Sequence, residues 1–237
     1  MNPVRIDKWI AAGSLVLSLS AMGLAWQSPV SRAILRGDRI NGILIAARDL
    51  FFEKGYRATM DEIAERAELS KGTLYIYFKS KDELYISVIL EGFHLLEERM
   101  KKAIGRAEGA VERVKAIYYA FIDHCLENRA YFRTTQYFLT EDARANTSPE
   151  LVETINRSTA ELMQYGVRAI EEGVKEKAFR GDLNPAVLAT AVWRMATGIL
   201  DLAVLEEGGG GENRPLGEVF DTAIEVVLDG IGAKRTR

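Results

Sequence analysis

Residues 58–84 read ATMDEIAERAELSKGTLYIYFKSKDEL, and inside them two short helical patterns flank a tight polar break. Thr59 and Glu62 have the reciprocal spacing of a capping box, so a helix is expected to start at Met60 and to bury Ile63, Ala64 and Ala67. Glu68, Leu69 and Ser70 interrupt it. Ser70 can cap a second helix over Lys71 to Phe78, whose apolar pair Leu74 and Phe78 lies four residues apart on one face. Ser80 with Glu83 repeats the capping spacing and opens a third helix.

Two short helices crossing at a three- or four-residue turn are the expectation for a helix-turn-helix, whose second helix lies in the DNA major groove. At about 100° per residue, Leu74 and Phe78 define the core side of that helix. Gly72, Thr73 and Ile76 then face away, with Lys71, Tyr75 and Tyr77 on the flanks. A glycine inside a helix costs roughly 1 kcal/mol relative to Ala, and close backbone approach to another surface is a reason to tolerate it. An outward isoleucine needs a partner, and a thymine methyl group is one. From Leu69 to Lys81 the only charges are Lys71, Lys79 and Lys81, whereas the preceding helix carries Asp61, Glu62, Glu65 and Glu68.

The chain of 237 residues is 48% hydrophobic, enough for a small domain joined to a larger one. Strand-like alternation is absent over any useful length, so an all-α protein follows. The formal net charge of −3 and pI near 5.6 exclude a protein that coats nucleic acid, and instead fit one local basic surface on an acidic body. The single cysteine, Cys125, excludes an intramolecular disulfide. No phosphate loop, Ser/His/Asp arrangement or His-Glu-x-x-His occurs. His94 and His124 are the only histidines, and Cys125 projects about 100° away from His124 on a helix, so neither catalysis, a metal nor a cofactor is expected.

Residues 9–26, WIAAGSLVLSLSAMGLAW, hold no charge over 18 positions, about 27 Å as a helix and just short of a hydrocarbon core. Basic residues flank the stretch and an indole closes each end. It reads as a membrane anchor, as a signal-peptide core, as an apolar helix packed on protein, or, together with the rest of residues 1–36, as an extension added by an upstream start codon.

A first helix is expected over Arg39 to Lys54, with Ile40, Ile43, Leu44, Ala47, Leu50 and Phe51 as its apolar stripe and Gly55 as its stop. A longer helix runs from Asp82 to about Ile104, and others over Ala110 to Glu127 and Tyr131 to Leu139. The polar run EDARANTSPE after Thr140 reads as a loop, with Ser148 and Pro149 opening a helix to about Lys177. Asn184 and Pro185 open the next, to about Leu205. A four-glycine run follows at 208–211, and a last helix spans Leu216 to Ile231.

Residues 39–86, above all GYRATMDEIAERAELSKGTLYIYFKSKDEL, resemble the N-terminal DNA-binding domain of the TetR family of bacterial repressors. The resemblance rests on Gly55 and Tyr56, on Thr59, on the Ser70 to Tyr75 run, on the Tyr77 and Phe78 pair and on Lys81. It implies a three-helix helix-turn-helix domain over 37–84, followed over 85–237 by a larger helical domain that binds a ligand and dimerises. It also implies that Thr59, Tyr75 and Lys81 clamp phosphates, while Ser70, Lys71, Gly72, Thr73, Ile76 and Tyr77 approach base edges or adjacent backbone. Pro185 to Leu205 and Leu216 to Ile231 would be the dimerising pair, with Leu188, Val192, Met195, Ala196, Ile199 and Leu202 as one stripe.

Tyr118, Phe121, Cys125, Tyr131, Phe132, Tyr137, Phe138, Met163, Tyr165 and Trp193 are candidates to line the ligand pocket. Their apolar bias favours a hydrophobic or acyl-type effector. The expected protein is a cytoplasmic, homodimeric, ligand-responsive repressor of a two-fold symmetric operator. The alternative is a membrane-tethered helical sensor, anchored in the inner membrane through residues 9–26, whose DNA binding is secondary or lost.

Overall fold

A computed structural model describes residues 38–206 and 216–232. The apolar stretch at 9–26, the rest of the N-terminal extension and the glycine run at 208–211 lie outside them. Among the described residues the regular elements are all helices: α1 (Asp38–Lys54), a 3-10 turn (Gly55–Arg57), α2 (Met60–Arg66), α3 (Lys71–Tyr77), α4 (Lys81–Ile104), α5 (Ala110–Glu127), α6 (Arg129–Phe138), α7 (Glu141–Ala145), α8 (Pro149–Lys175), α9 (Pro185–Glu206) and α10 (Leu216–Ile231). None is long and apolar enough to cross a membrane.

Helix α7 corrects the expected loop. The hydroxyl of Thr140 accepts from the Ala143 amide (3.4 Å), and Glu141 and Asp142 place negative charge on the first turn. A capped start with acidic residues at its positive end stabilises even a single turn. The other ends follow their capping residues: Asn184 Oδ1 accepts from the amides of Ala186 (3.1 Å) and Val187 (3.2 Å), and Pro185 needs no partner as the first helical residue.

The described residues divide into two compact units, one built from 38–92 with 130–156 and the other from 93–129, 157–206 and 216–232. The boundary expected after Leu84 therefore falls inside one uninterrupted helix, α4. In the first unit Ile40, Ile43, Ala47, Leu50 and Phe51 of α1 are buried as expected. Tyr85, which the periodicity did not single out, is equally deep; its ring meets Phe51 edge-on at 4.8 Å and its hydroxyl donates to the Thr134 carbonyl (3.0 Å).

In the second unit α5, α9 and α10 pack together. Phe220, Ile224 and Leu228 of α10 are buried, and Tyr118 donates to the Phe220 carbonyl (3.2 Å). The buried face of α9 carries Ala189, Ala196 and Leu200, whereas Leu188, Met195 and Ile199 of the expected stripe are only half-buried. After α8 the chain turns sharply with Lys177 at φ 59°, and Phe179 folds back so closely that a Cβ at Gly173 would overlap its ring.

His124 is 6% exposed in this core. Burial, with the Arg99 guanidinium adding to it, pushes its imidazole down to about 4 from an ordinary 6.5. The folded protein therefore holds it neutral, while the unfolded chain takes up a proton near pH 6.5. Stability is present above that pH and is lost as pH falls toward 4. Between pH 7 and 5 this one group should remove about 2 kcal/mol. Urea unfolding of His124→Gln should show a correspondingly flatter pH dependence over that interval; an unchanged slope would mean that His124 protonates without cost in the fold.

Candidate nucleic-acid interface

The stretch that decides the fold is held by local hydrogen bonds at each end of each short helix. Gly55 ends α1 at φ 61°, the left-handed region that a glycine enters without Cβ cost. Thr59 then forms both halves of a capping box: its amide donates to Glu62 Oε2 (2.8 Å) and its hydroxyl accepts from the Glu62 amide (3.3 Å). The Lys54 ammonium 2.6 Å away, with the Thr59 amide and the Thr59 hydroxyl, which also donates to Oε2 (3.0 Å), holds the Glu62 carboxyl down to about 2.

Helix α2 ends in a six-to-one bond from the Leu69 amide to the Ala64 carbonyl (2.8 Å) and a bond from the Glu68 amide to the Glu65 carbonyl (3.0 Å). This is a Schellman ending, with Glu68 at φ 56° where glycine is usual. Ala67 is accordingly the half-buried cap of α2 rather than part of its core face.

Ser70 caps α3, its hydroxyl accepting from the Thr73 amide (3.2 Å) and lying 2.8 Å from the Thr73 hydroxyl. Leu74 and the C-cap Phe78 have no exposed surface, and that fixes the rotation of the helix. Ile76 is 63% exposed on the other side, Gly72 and Tyr75 are exposed, Thr73 and Tyr77 are half-buried, and a Cβ built on Gly72 would meet nothing within 4 Å. A large aliphatic side chain thus stands in water beside a bare stretch of backbone.

The basic residues are less free than the sequence suggests. Lys71 pairs with Asp61 (2.7 Å), both of them exposed. Lys79 Nζ donates weakly to the Tyr75 carbonyl (3.4 Å). Lys81 donates to the Tyr56 carbonyl (2.7 Å) and sits 3.8 Å over the Tyr56 ring, so one of its three N–H donors is engaged. Glu83 does not repeat the capping box; it accepts from the Lys79 amide (2.7 Å), one residue before the Ser80 cap. Arg57, exposed in the turn before Thr59, adds a positive charge that the sequence reading did not count.

Residues 43–88 match the model of the bacterial regulatory proteins of the tetR family. The HTH-type transcriptional activator FasR of Mycolicibacterium smegmatis is 39% identical over 89 residues, a stretch covering 37% of this chain and 41% of FasR. The HTH-type transcriptional regulator YhgD of Bacillus subtilis is 32% identical over 144 residues, 60% of this chain and 73% of YhgD. The chain belongs to the TetR family. Among solved structures, the transcriptional regulator FadR of Bacillus subtilis, in complex with stearoyl-CoA, superposes with a TM-score of 0.68 at 21% identity, over 81% of this chain and 99% of FadR. Its TetR-family relatives are transcriptional regulators, not enzymes.

The aromatic residues expected to gather in one pocket are divided between the units. Tyr118, Phe121, Met163 and Trp193 do converge in the second unit of this TetR-family chain, around an apolar cavity of about 40 Å³ completed by Leu162, Val192 and their neighbours. The Phe121 and Trp193 rings lie 4.2 Å apart there. Cys125 is buried outside this lining, and burial pushes its thiol up. Tyr165 instead donates to Glu97 (2.8 Å). Tyr131, Phe132, Tyr137 and Phe138 belong to the first unit, where Tyr137 and Phe138 line a different cavity. Helical periodicity shows which side of a helix is apolar, but not which unit that side faces.

His94, Glu97 and Glu98 have ligand atoms within 4.8 Å of one another. Lys101 lies 3.1 Å from Glu97 and 3.3 Å from Glu98, so one ammonium is shared between the two carboxylates.

Glu68 gives a direct test of the turn geometry. A left-handed non-glycine residue costs roughly 1 kcal/mol or more, partly offset by the extra freedom glycine has when unfolded. Glu68→Gly should therefore raise unfolding stability by up to about 1 kcal/mol in urea titrations. A loss of stability would show that the Glu68 side chain contributes more than its backbone costs.

Proposed function

We propose that this TetR-family regulator is a ligand-responsive repressor that binds a two-fold symmetric operator as a homodimer and leaves it when a hydrophobic effector binds. The observation that carries the reading is the outward face of α3, where Ile76 is exposed opposite a fully buried Leu74. An exposed isoleucine and an open glycine on the second helix of a helix-turn-helix suit a major groove, where a thymine methyl gives the aliphatic group an apolar contact. In this reading Ser70, Lys71, Gly72, Thr73, Ile76 and Tyr77 meet base edges or nearby backbone, and Thr59, Tyr75 and Lys81 meet phosphates. Lys71 exchanges Asp61 for phosphate on binding. Work on the chromosome puts this part of the chain in the cytoplasm.

One α3 helix reads few base pairs, and two-fold pairing doubles the site with heads one turn of DNA apart, about 34 Å. Val187 on α9 and Val226 on α10 are exposed, and Leu188, Met195, Ile199 and Val227 on the same helices are half-buried, so both helices have apolar area left for a second copy. The effector site is the apolar cavity of the second unit. At about 40 Å³ it is far below the ~300 Å³ of typical ligand sites. An effector must therefore select or create an expanded form, and a ligand that favours that form opposes the DNA-binding form reciprocally. FadR holds stearoyl-CoA in its crystal structure, which supports an acyl-type effector here.

Fluorescence anisotropy on the DNA upstream of the protein's own gene tests the reading. Binding should be tight and should weaken when a long-chain acyl-CoA is added; binding to that DNA no better than to random duplex sinks it. Ile76→Ala should relax preference at one base pair by roughly 1 kcal/mol. Lys81→Ala should instead weaken all sequences alike and lower the slope of log K against log salt by about one. If the slope is unchanged, Lys81 serves only Tyr56.

A further inference from the structure

The larger void in the described residues is not the apolar pocket. It lies in the first unit, has a volume of about 240 Å³, and is walled by the 3-10 turn, the start of α4, the end of α6 and α7. Three phenol rings cluster at it: Tyr56 and Tyr137 stack at 5.1 Å, and Tyr85 meets them edge-on at 5.1 and 5.9 Å. Two carboxylates, Asp82 and Asp142, stand on the same wall, and the nearby Lys81 ammonium, over the Tyr56 ring, is not part of the lining.

Most of the donors on that wall are engaged with the protein itself. Tyr56 donates its hydroxyl to Asp82, Tyr85 to the Thr134 carbonyl, Thr147 to the Ala143 carbonyl (2.8 Å), and Asn146 donates its amide to the Asp142 carbonyl (2.7 Å). These donors face protein acceptors. What remains for a guest is carboxylate oxygen, the Asn146 side-chain carbonyl and its second N–H, the Tyr137 hydroxyl, and ring faces. An anion would meet two negative charges with those donors already engaged, and a neutral apolar guest would strip water from carboxylates without replacing it. A cation meets both demands, and aromatic faces with nearby carboxylates attract ammonium groups. Tyr56 already accepts one such contact, from the Lys81 ammonium 3.8 Å from its ring centre. Ile86 and Phe138 give the wall an apolar portion for a carbon skeleton.

We propose that this cavity is a second ligand site, for a small organic cation such as an aryl-alkyl ammonium. It is separate from the effector pocket and independent of the repressor reading. Its guest would touch Tyr56, next to Gly55, and Asp82, in the first turn of α4. These residues bracket the helix-turn-helix in sequence, so an occupied site bears on the part of the chain that carries α3.

Isothermal titration of the full chain with benzyltrimethylammonium, benzyl alcohol and phenylacetate tests this without DNA. The ammonium should bind saturably with a dissociation constant below about 1 mM, the alcohol at least about tenfold more weakly, and the carboxylate not at all. Asp142→Asn and Tyr137→Ala alter exposed side chains. Each should weaken the ammonium about tenfold with the melting temperature within a few degrees of the parent. Three results overturn the proposal: no saturable ammonium binding up to about 10 mM, equal binding of ammonium and alcohol, or ammonium affinity unchanged in both variants. If either variant melts far below the parent, Asp82→Asn, which keeps the acceptor for Tyr56, takes its place under the same criterion.

Discussion

Two side chains set the orientation on which the outward face of α3 depends. Leu74 and Phe78, each without exposed surface, are one turn apart on α3, and burying them stabilises the head by roughly 1.5–3 kcal/mol apiece. A seven-residue helix is far too short to persist alone in water, so its helicity and its rotation come from that burial. Once the pair is inside, the helical repeat leaves no choice for Gly72 and Ile76. The outward isoleucine is thus a consequence of the inward leucine, and the exposed face is fixed by what the core needs.

The parts of this arrangement that were legible in the sequence are those in which one residue suffices to specify a backbone hydrogen bond. Thr59, Ser70 and Asn184 each mark a helix start because an oxygen two or three bonds from the backbone can reach the free amides. Gly55 marks a stop because it enters the left-handed region without cost. Glu68 does the same work at the end of α2 with an unsuitable residue, so its Schellman geometry leaves no compositional trace. Helix α7 was hidden for the opposite reason: its five residues, EDARA, have no apolar stripe to announce it, and the Thr140 cap is its signal.

The aromatic residues show a different limit. Tyr118 and Tyr131 both sit on apolar helix faces, yet one reaches the small cavity of the second unit and the other packs in the first, where its ring meets Phe52 edge-on at 4.9 Å. The chain passes between the units inside α4 and inside α8, and again between α5 and α6, so neighbours in sequence part company with no break in the periodic pattern. A boundary placed in the middle of a helix needs no turn or loop, and therefore leaves no break to be read in the sequence. The same continuity explains why the aromatic cluster of the first unit, Tyr56 with Tyr85 and Tyr137, combines residues far apart in the chain.

Within the first unit, one buried ion pair fixes how the start of α4 packs. Arg48 of α1 reaches Glu91 of α4 at 3.3 Å, with the Tyr131 phenol of α6 beside both, and Glu91 is only 8% exposed. Burial holds the Glu91 carboxyl above its usual range, so the pair gives little net stability for its depth. What it does give is register: a buried charge tolerates one partner geometry, and a slid helix would leave it uncompensated. Gly92 tightens the fit, because a Cβ there would lie 2.8 Å from the Tyr131 ring, so any larger residue would push α6 away from α4. The first part of α4 is therefore locked to α1 and α6 within one unit, while the same helix continues into the other.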